Sequence, residues 1–176
     1  MMKAFERHLE ALASLEKDAF REKVQERWGR KLPKGLVEEL SDFIVRLPRV
    51  ERRVFHLWTW LQDDSQLKKA GSHFLTYMYQ PDDFIPETEK SGLFGYIDDA
   101  YIAALFYEHM IDEIRHQKSR RLTQSDTELY RRAVRFKRKA GAVIPEEAIR
   151  IKLLIADLYE SREEAARQLF SQAMPA

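Results

Sequence analysis

Apolar residues recur along this chain with helical period almost everywhere, and nowhere do they alternate with a period of two. From Met2 to Trp28, Phe5, Leu9 and Leu12 form a stripe that Ala19, Phe20, Val24 and Trp28 continue. This predicts one long amphipathic helix, with Gly29 placed to end it. At 1.5 Å per residue such a helix reaches about 40 Å, so it is expected to bend, to break near Ser14, or to project and pack on another chain. Leu32-Pro33-Lys34-Gly35 reads as a connector. Leu36, Leu40, Phe43, Ile44 and Leu47 predict a short helix over 36–47, and Pro48 stops it while suiting the first turn of the next. That next helix, over 49–62, places Val50, Val54, Leu57, Trp58 and Leu61 on one face. Asp63-Asp64-Ser65 carries cap chemistry, and Leu67, Ala70, Gly71, Phe74 and Met78 predict a helix over 65–79.

Between Gln80 and Tyr96 the helical pattern fails, punctuated by Pro81, Pro86, Gly92 and Gly95. Asp98 is then expected to cap a helix running to about Lys118. Its first half, from Ala100 through Tyr107, is apolar nearly all round, the mark of a helix buried on every side. Ser125-Asp126-Thr127-Glu128 matches a capping box for the following helix, which Gly141 is expected to end. Pro145 opens another helix with Ile151, Leu154, Ile155 and Leu158 as its stripe, and Ser161-Arg162-Glu163-Glu164 marks a restart. The fold expected is all-α: a single compact helical bundle over 1–176, of seven or eight helices, around the apolar helix that begins at Asp98.

Composition narrows the function classes. At 176 residues the chain is the length of one domain, with 44% hydrophobic and 34% charged residues, enough for a core and a charged coat. The absence of cysteine excludes disulfides, thiolate zinc sites, iron–sulfur clusters and a cysteine nucleophile. No run approaches the roughly 20 apolar residues of a membrane span. The start, Met1 to Arg7, lacks the apolar core of a secretory leader, so a cytoplasmic location is expected. The net charge of +1 conceals a segregation. Residues 71–114 carry nine acids against Lys90, and residues 115–139 carry ten Lys or Arg against Asp126 and Glu128. Either the two blocks neutralise each other within the fold, or one of them faces a partner of opposite charge.

A family resemblance lies in the interrupted segment. Tyr77, then Pro81, Asp83, Ile85 and Pro86, then Gly95, Tyr96, Asp98 and Asp99 fall in order on the pattern of a tyrosine, Pro-x-Asp-x-Ile-Pro and Gly-Tyr-x-Asp-Asp opening an apolar helix. Over residues 70–107 the chain resembles the YkvA-like family. Glu87 stands where the family usually has aspartate, and the stretch from Pro86 to Gly95 is about two residues longer. The resemblance implies a helical protein of a kind found in small bacterial proteins, often with membrane segments, and beside a RING module in a eukaryotic membrane ubiquitin ligase. It implies no reaction.

The residues themselves have physical readings. Asp98 and Asp99 at a helix start meet orphan amides and the positive end of the dipole, and Asp83 between prolines folds onto nearby amides. The competing readings gather Asp83, Asp98 and Asp99, with Glu87 as a further member, into a Mg²⁺ or Ca²⁺ site, or compensate these carboxylates with arginines of the basic block. His109, Glu113 and His116 share one helix face, but Glu-x-x-His occurs once, where a di-iron bundle needs it twice. The remaining readings are a mononuclear site from His109, His116 and a carboxylate, or, as expected here, exposed polar residues where the helix leaves the core. No Gly-x-Ser-x-Gly and no phosphate-binding glycine loop with Lys-Ser/Thr is present. Arg131, Arg135 and Arg138 form a row on one face, flanked by Arg132 and Lys139, and are the candidates for anion binding.

The reading that follows is a non-enzymatic helical module, without a cofactor, working through protein or membrane-surface contacts. Its expected partners are a second copy or a helical protein on the apolar stripe of the first helix, and an anionic membrane surface on the arginine row. The alternatives are a metal-dependent enzyme built on the acidic loop and a nucleic-acid-binding accessory protein using residues 115–139.

Overall fold

The computed structural model describes residues 2–61, 84–85, 92–117 and 121–159. Among them run seven α-helices: α1 (Met2–Leu15), α2 (Lys17–Trp28), α3 (Leu36–Val45), α4 (Leu47–Trp58), α5 (Ile97–Gln117), α6 (Gln124–Val143) and α7 (Pro145–Tyr159). A 3-10 turn, Gly92–Tyr96, leads straight into α5. The described residues contain no strand. The fold is an all-α bundle, as the periodicity predicts. The helices expected over 65–79 and from Ser161 onward lie outside the described residues.

α5 is the centre. From Ile97 to Tyr107 every residue is buried, and Met110, Ile111 and Ile114 continue the burial. It packs most extensively against α6 and α4, and the buried side chains form one continuous core. A helix that is apolar all round has no face to offer water, so the others are laid around it. Phe43 of α3 stacks on Phe136 of α6, ring centroids 4.3 Å apart, tying the outer layer together.

The first helix is not one rod. The chain breaks at Glu16 (φ −112°, ψ 22°), two residues past the expected point. Glu16 N–H still donates to Leu12 O, and Phe20 N–H to Glu16 O, both at 2.8 Å, so the bend costs little backbone bonding. The Glu16 carboxylate accepts from Leu93 N–H at 3.2 Å and so holds the 3-10 turn. The bend lets Leu9 of α1 and Phe20 and Val24 of α2 enter the same core. This corrects the expectation of an exposed apolar stripe: Leu9, Phe20 and Val24 are buried in this chain and Phe5, Leu12 and Trp28 pack partly buried against its core, with Ala19 left exposed. The large hydrophobics left exposed among the described residues are Leu15, Phe55, Ile149 and Leu153.

Most boundaries follow local chemistry. Gly29 takes the left-handed conformation (φ 68°) and donates to Gln25 O, closing α2. Pro48 sits in the first turn of α4 and Pro145 opens α7, where a missing N–H costs nothing. Three expectations need correction. α6 is capped by Thr123, two residues before Ser125: Thr123 Oγ1 accepts from Asp126 N–H at 3.1 Å and Asp126 Oδ2 accepts from Thr123 N–H at 2.9 Å. Gly141 lies inside α6, where an added Cβ would stand 3.2 Å from the Tyr101 ring. α6 stops instead before Pro145. Asp98 lies within the first turn of α5, one residue past its start, and so is not its cap.

Candidate functional site

The interrupted motif is built partly into the core. Ile85, Gly95, Tyr96, Asp98 and Asp99 are all buried. Asp98 Oδ2 accepts from the Ile85 N–H at 2.8 Å, a bond that joins the two halves of the motif across 13 residues. A carboxylate accepting from a backbone amide is a charge-assisted bond, and here it pins the segment before the turn to the start of α5. Arg150 of α7 lies over the Phe84 ring, 4.8 Å from its centroid, a second contact next to Ile85. Tyr96 packs against α1, its ring 5.7 Å from Phe5 and 6.2 Å from His8. Phe94 meets Phe20 of α2 at 6.2 Å. Within the described residues the motif holds the α5 entry in place. Tyr77, Pro81, Asp83 and Pro86 lie outside them, so the candidate trio Asp83, Asp98 and Asp99 is represented by its last two members.

No group of three or more His, Asp or Glu side chains among the described residues is placed to hold a metal. His109, Glu113 and His116 share a helix face without converging, and Glu113 accepts from Gln117 Nε2 at 2.7 Å.

The basic block divides into engaged and unengaged members. Lys137 pairs with Glu108 of α5, and Arg115 pairs with Asp112 while lying over the Tyr130 ring. These contacts join the acidic and basic blocks, as one of the two readings of the charge segregation expects. Arg132 pairs with Asp42 at 2.9 Å and Lys139 with Glu39 at 2.6 Å, both partners on α3. Hydrogen bonds from Arg46, with Arg132 adding its charge, hold the Asp42 carboxyl below its ordinary value against partial burial. Two of the five anion-binding candidates are therefore tied to α3. Arg131, Arg135 and Arg138 stay exposed on α6, at i, i+4 and i+7. None of the three forms an ion pair with a described residue.

One buried charge network was not singled out by sequence reasoning. Arg53 of α4 grips Asp126 with a two-pronged pair, Nε to Oδ1 at 2.6 Å and Nη2 to Oδ2 at 2.7 Å. Thr123 Oγ1 donates to the same carboxylate at 2.7 Å, and the Tyr107 hydroxyl of α5 reaches it at 3.3 Å. Burial opposes the charge on Asp126, but the bonds from Arg53 and Thr123 outweigh it and hold the carboxyl below its ordinary value. Burial, with the Asp126 charge beside it, pushes the Tyr107 hydroxyl well up, so it stays protonated. The signal available in the sequence was the set Arg49, Arg52, Arg53 and His56, which one face of a helix must carry.

Comparison of the chain with family models, with curated proteins and with solved structures gives no match. No helix among the described residues is long and apolar enough to cross a membrane.

Proposed function

We propose that this protein is a non-enzymatic helical module of the cytoplasm that works by contact, laying the α6 arginine row on an anionic membrane surface. The observation that carries this is the division within one helix. Arg132 and Lys139 are satisfied by α3, while Arg131, Arg135 and Arg138, one face and two turns long, have no acidic partner among the described residues. A straight row of guanidiniums suits an extended anionic surface, each charge adding about 1 kcal/mol near such a surface. The resemblance of residues 70–107 to YkvA-like proteins, whose relatives often carry membrane segments, supports the same reading.

Vesicle sedimentation tests it. The protein should pellet with phosphatidylserine vesicles and not with neutral ones at about 50 mM salt, and release as salt rises through the screening range. Replacing Arg131, Arg135 and Arg138 together by Gln should abolish pelleting without lowering the melting temperature. Binding to duplex DNA or RNA through the same row, with none to vesicles, would replace the lipid by nucleic acid. Binding to neither would leave the row as a solvated helix face.

A further inference from the structure

A second cationic feature lies where α4 meets the start of α6. Arg49, Arg52, Arg53 and His56 follow one another at i, i+3, i+4 and i+7 along α4 and line a cleft of about 470 Å³. Thr123, the α6 cap, and Ser125, Asp126 and Leu129 of α6 complete the lining. Like charges at these spacings destabilise a helix unless something offsets them. Asp126 offsets one only, because both its oxygens are engaged by Arg53 and Thr123. Arg49 donates from Nη2 to Ser125 Oγ at 3.2 Å, a neutral partner that leaves its charge unmatched. Arg52 is exposed and forms no ion pair with a described residue. Three guanidiniums against one carboxylate leave two positive charges uncompensated at one cleft.

The parts differ in rigidity. Arg53 is clamped by Asp126 and lies over the Trp60 ring, 5.1 Å from the centroid, so it forms a fixed wall. Arg52 is unengaged among the described residues, and Arg49 is held only by its bond to Ser125 Oγ, so both forks remain available to a ligand. Guanidinium forks match the oxygens of a phosphate, and two of them balance a dianion. The cleft is too large for a bare phosphate and falls among small-molecule sites, and Leu129 gives it an apolar side. We propose that the α4–α6 cleft binds a small organic phosphomonoester, with Arg49 and Arg52 as counter-charges to the phosphate and Ser125 as a neutral hydrogen-bonding partner.

Calorimetric titration of the full chain with phenyl phosphate and, separately, inorganic phosphate tests this. Phenyl phosphate should bind at one site, about tenfold tighter than inorganic phosphate, because only it reaches the apolar side. Arg49→Gln and Arg52→Gln should each weaken it by about tenfold, the loss of one charge-assisted contact. Both side chains are exposed, so the two variants should melt like the parent. Arg135→Gln, on the separate row, should bind as the parent does. Absence of saturable binding up to about 10 mM phenyl phosphate overturns the proposal. So does equal affinity for inorganic phosphate, which removes the organic ligand, or equal loss in Arg135→Gln, which removes the cleft.

Discussion

Asp98 and Asp126 both stand in the first turn of a helix, and both are almost wholly withdrawn from water. Their surroundings differ. Asp98 accepts from a backbone amide, Ile85 N–H, and by doing so ties Phe84-Ile85 to the start of α5. Asp126 accepts from a guanidinium, a hydroxyl and an amide, and so joins α4 to α6 beside the central helix. The first carboxylate organises chain, the second organises charge. The comparison shows why a motif aspartate need not be a metal ligand: the amide before α5 already takes one of its oxygens. It also shows why an aspartate outside the family motif can matter more to stability, since its loss leaves a cation half-buried.

The contrast can be broken by substitution. Asp126→Ala should have the largest effect, about 3 kcal/mol in chemical denaturation, because it strands Arg53 and removes half of the α6 capping box. Acid should act on the same residue. The Asp126 carboxyl is held below its ordinary value of 3.8, so its contribution is present above that pH and disappears as pH falls through the lower folded value. The stability gap between the parent and Asp126→Asn should therefore narrow below about pH 4, as unfolding curves across that range will show.

Asp98→Ala should cost about 1–2 kcal/mol by leaving the Ile85 amide without its acceptor, whereas Asp98→Asn, which keeps an acceptor oxygen, should cost less. Equal losses in the two would mean that the charge, and not the hydrogen bond, is what matters there. Gly92→Ala should cost about 1 kcal/mol, measured by thermal melting. Its φ of 47° disfavours a side chain, and an added Cβ would fall 1.8 Å from Glu16 Oε2, displacing the carboxylate from Leu93. Tyr107→Phe should be the mildest, below about 1 kcal/mol, because its hydroxyl meets Asp126 at the long distance of 3.3 Å. A larger loss would place the tyrosine at the centre of the network.

Much of this was legible along the chain because it is decided by neighbours in sequence. The apolar surround of Ala100 to Tyr107 places α5 at the centre, since no other position buries all its sides. Gly29, Pro48 and Pro145 mark boundaries through their own backbone preferences. Asp98 and Asp99 were visible as a pair at a helix start, and the engagement of Arg132 and Lys139 was not, because Asp42 and Glu39 are distant in sequence.

What the sequence by itself determined is therefore the class of fold, the central helix, most helix ends and the segregation of charge, all set by periodicity and local backbone chemistry. Tertiary structure decided where several options were locally equal. Ser125 and Thr123 are both good caps, and Arg53, brought from α4 to hold Asp126, selects the second. Gly141 by itself favours a helix end, and the close approach of the Tyr101 ring, which only a glycine admits without a shift, keeps it in the interior instead. Glu16 breaks the first helix where its carboxylate finds an amide 77 residues away. In each case the deciding partner is brought in from another helix, and no pattern confined to one segment encodes its arrival.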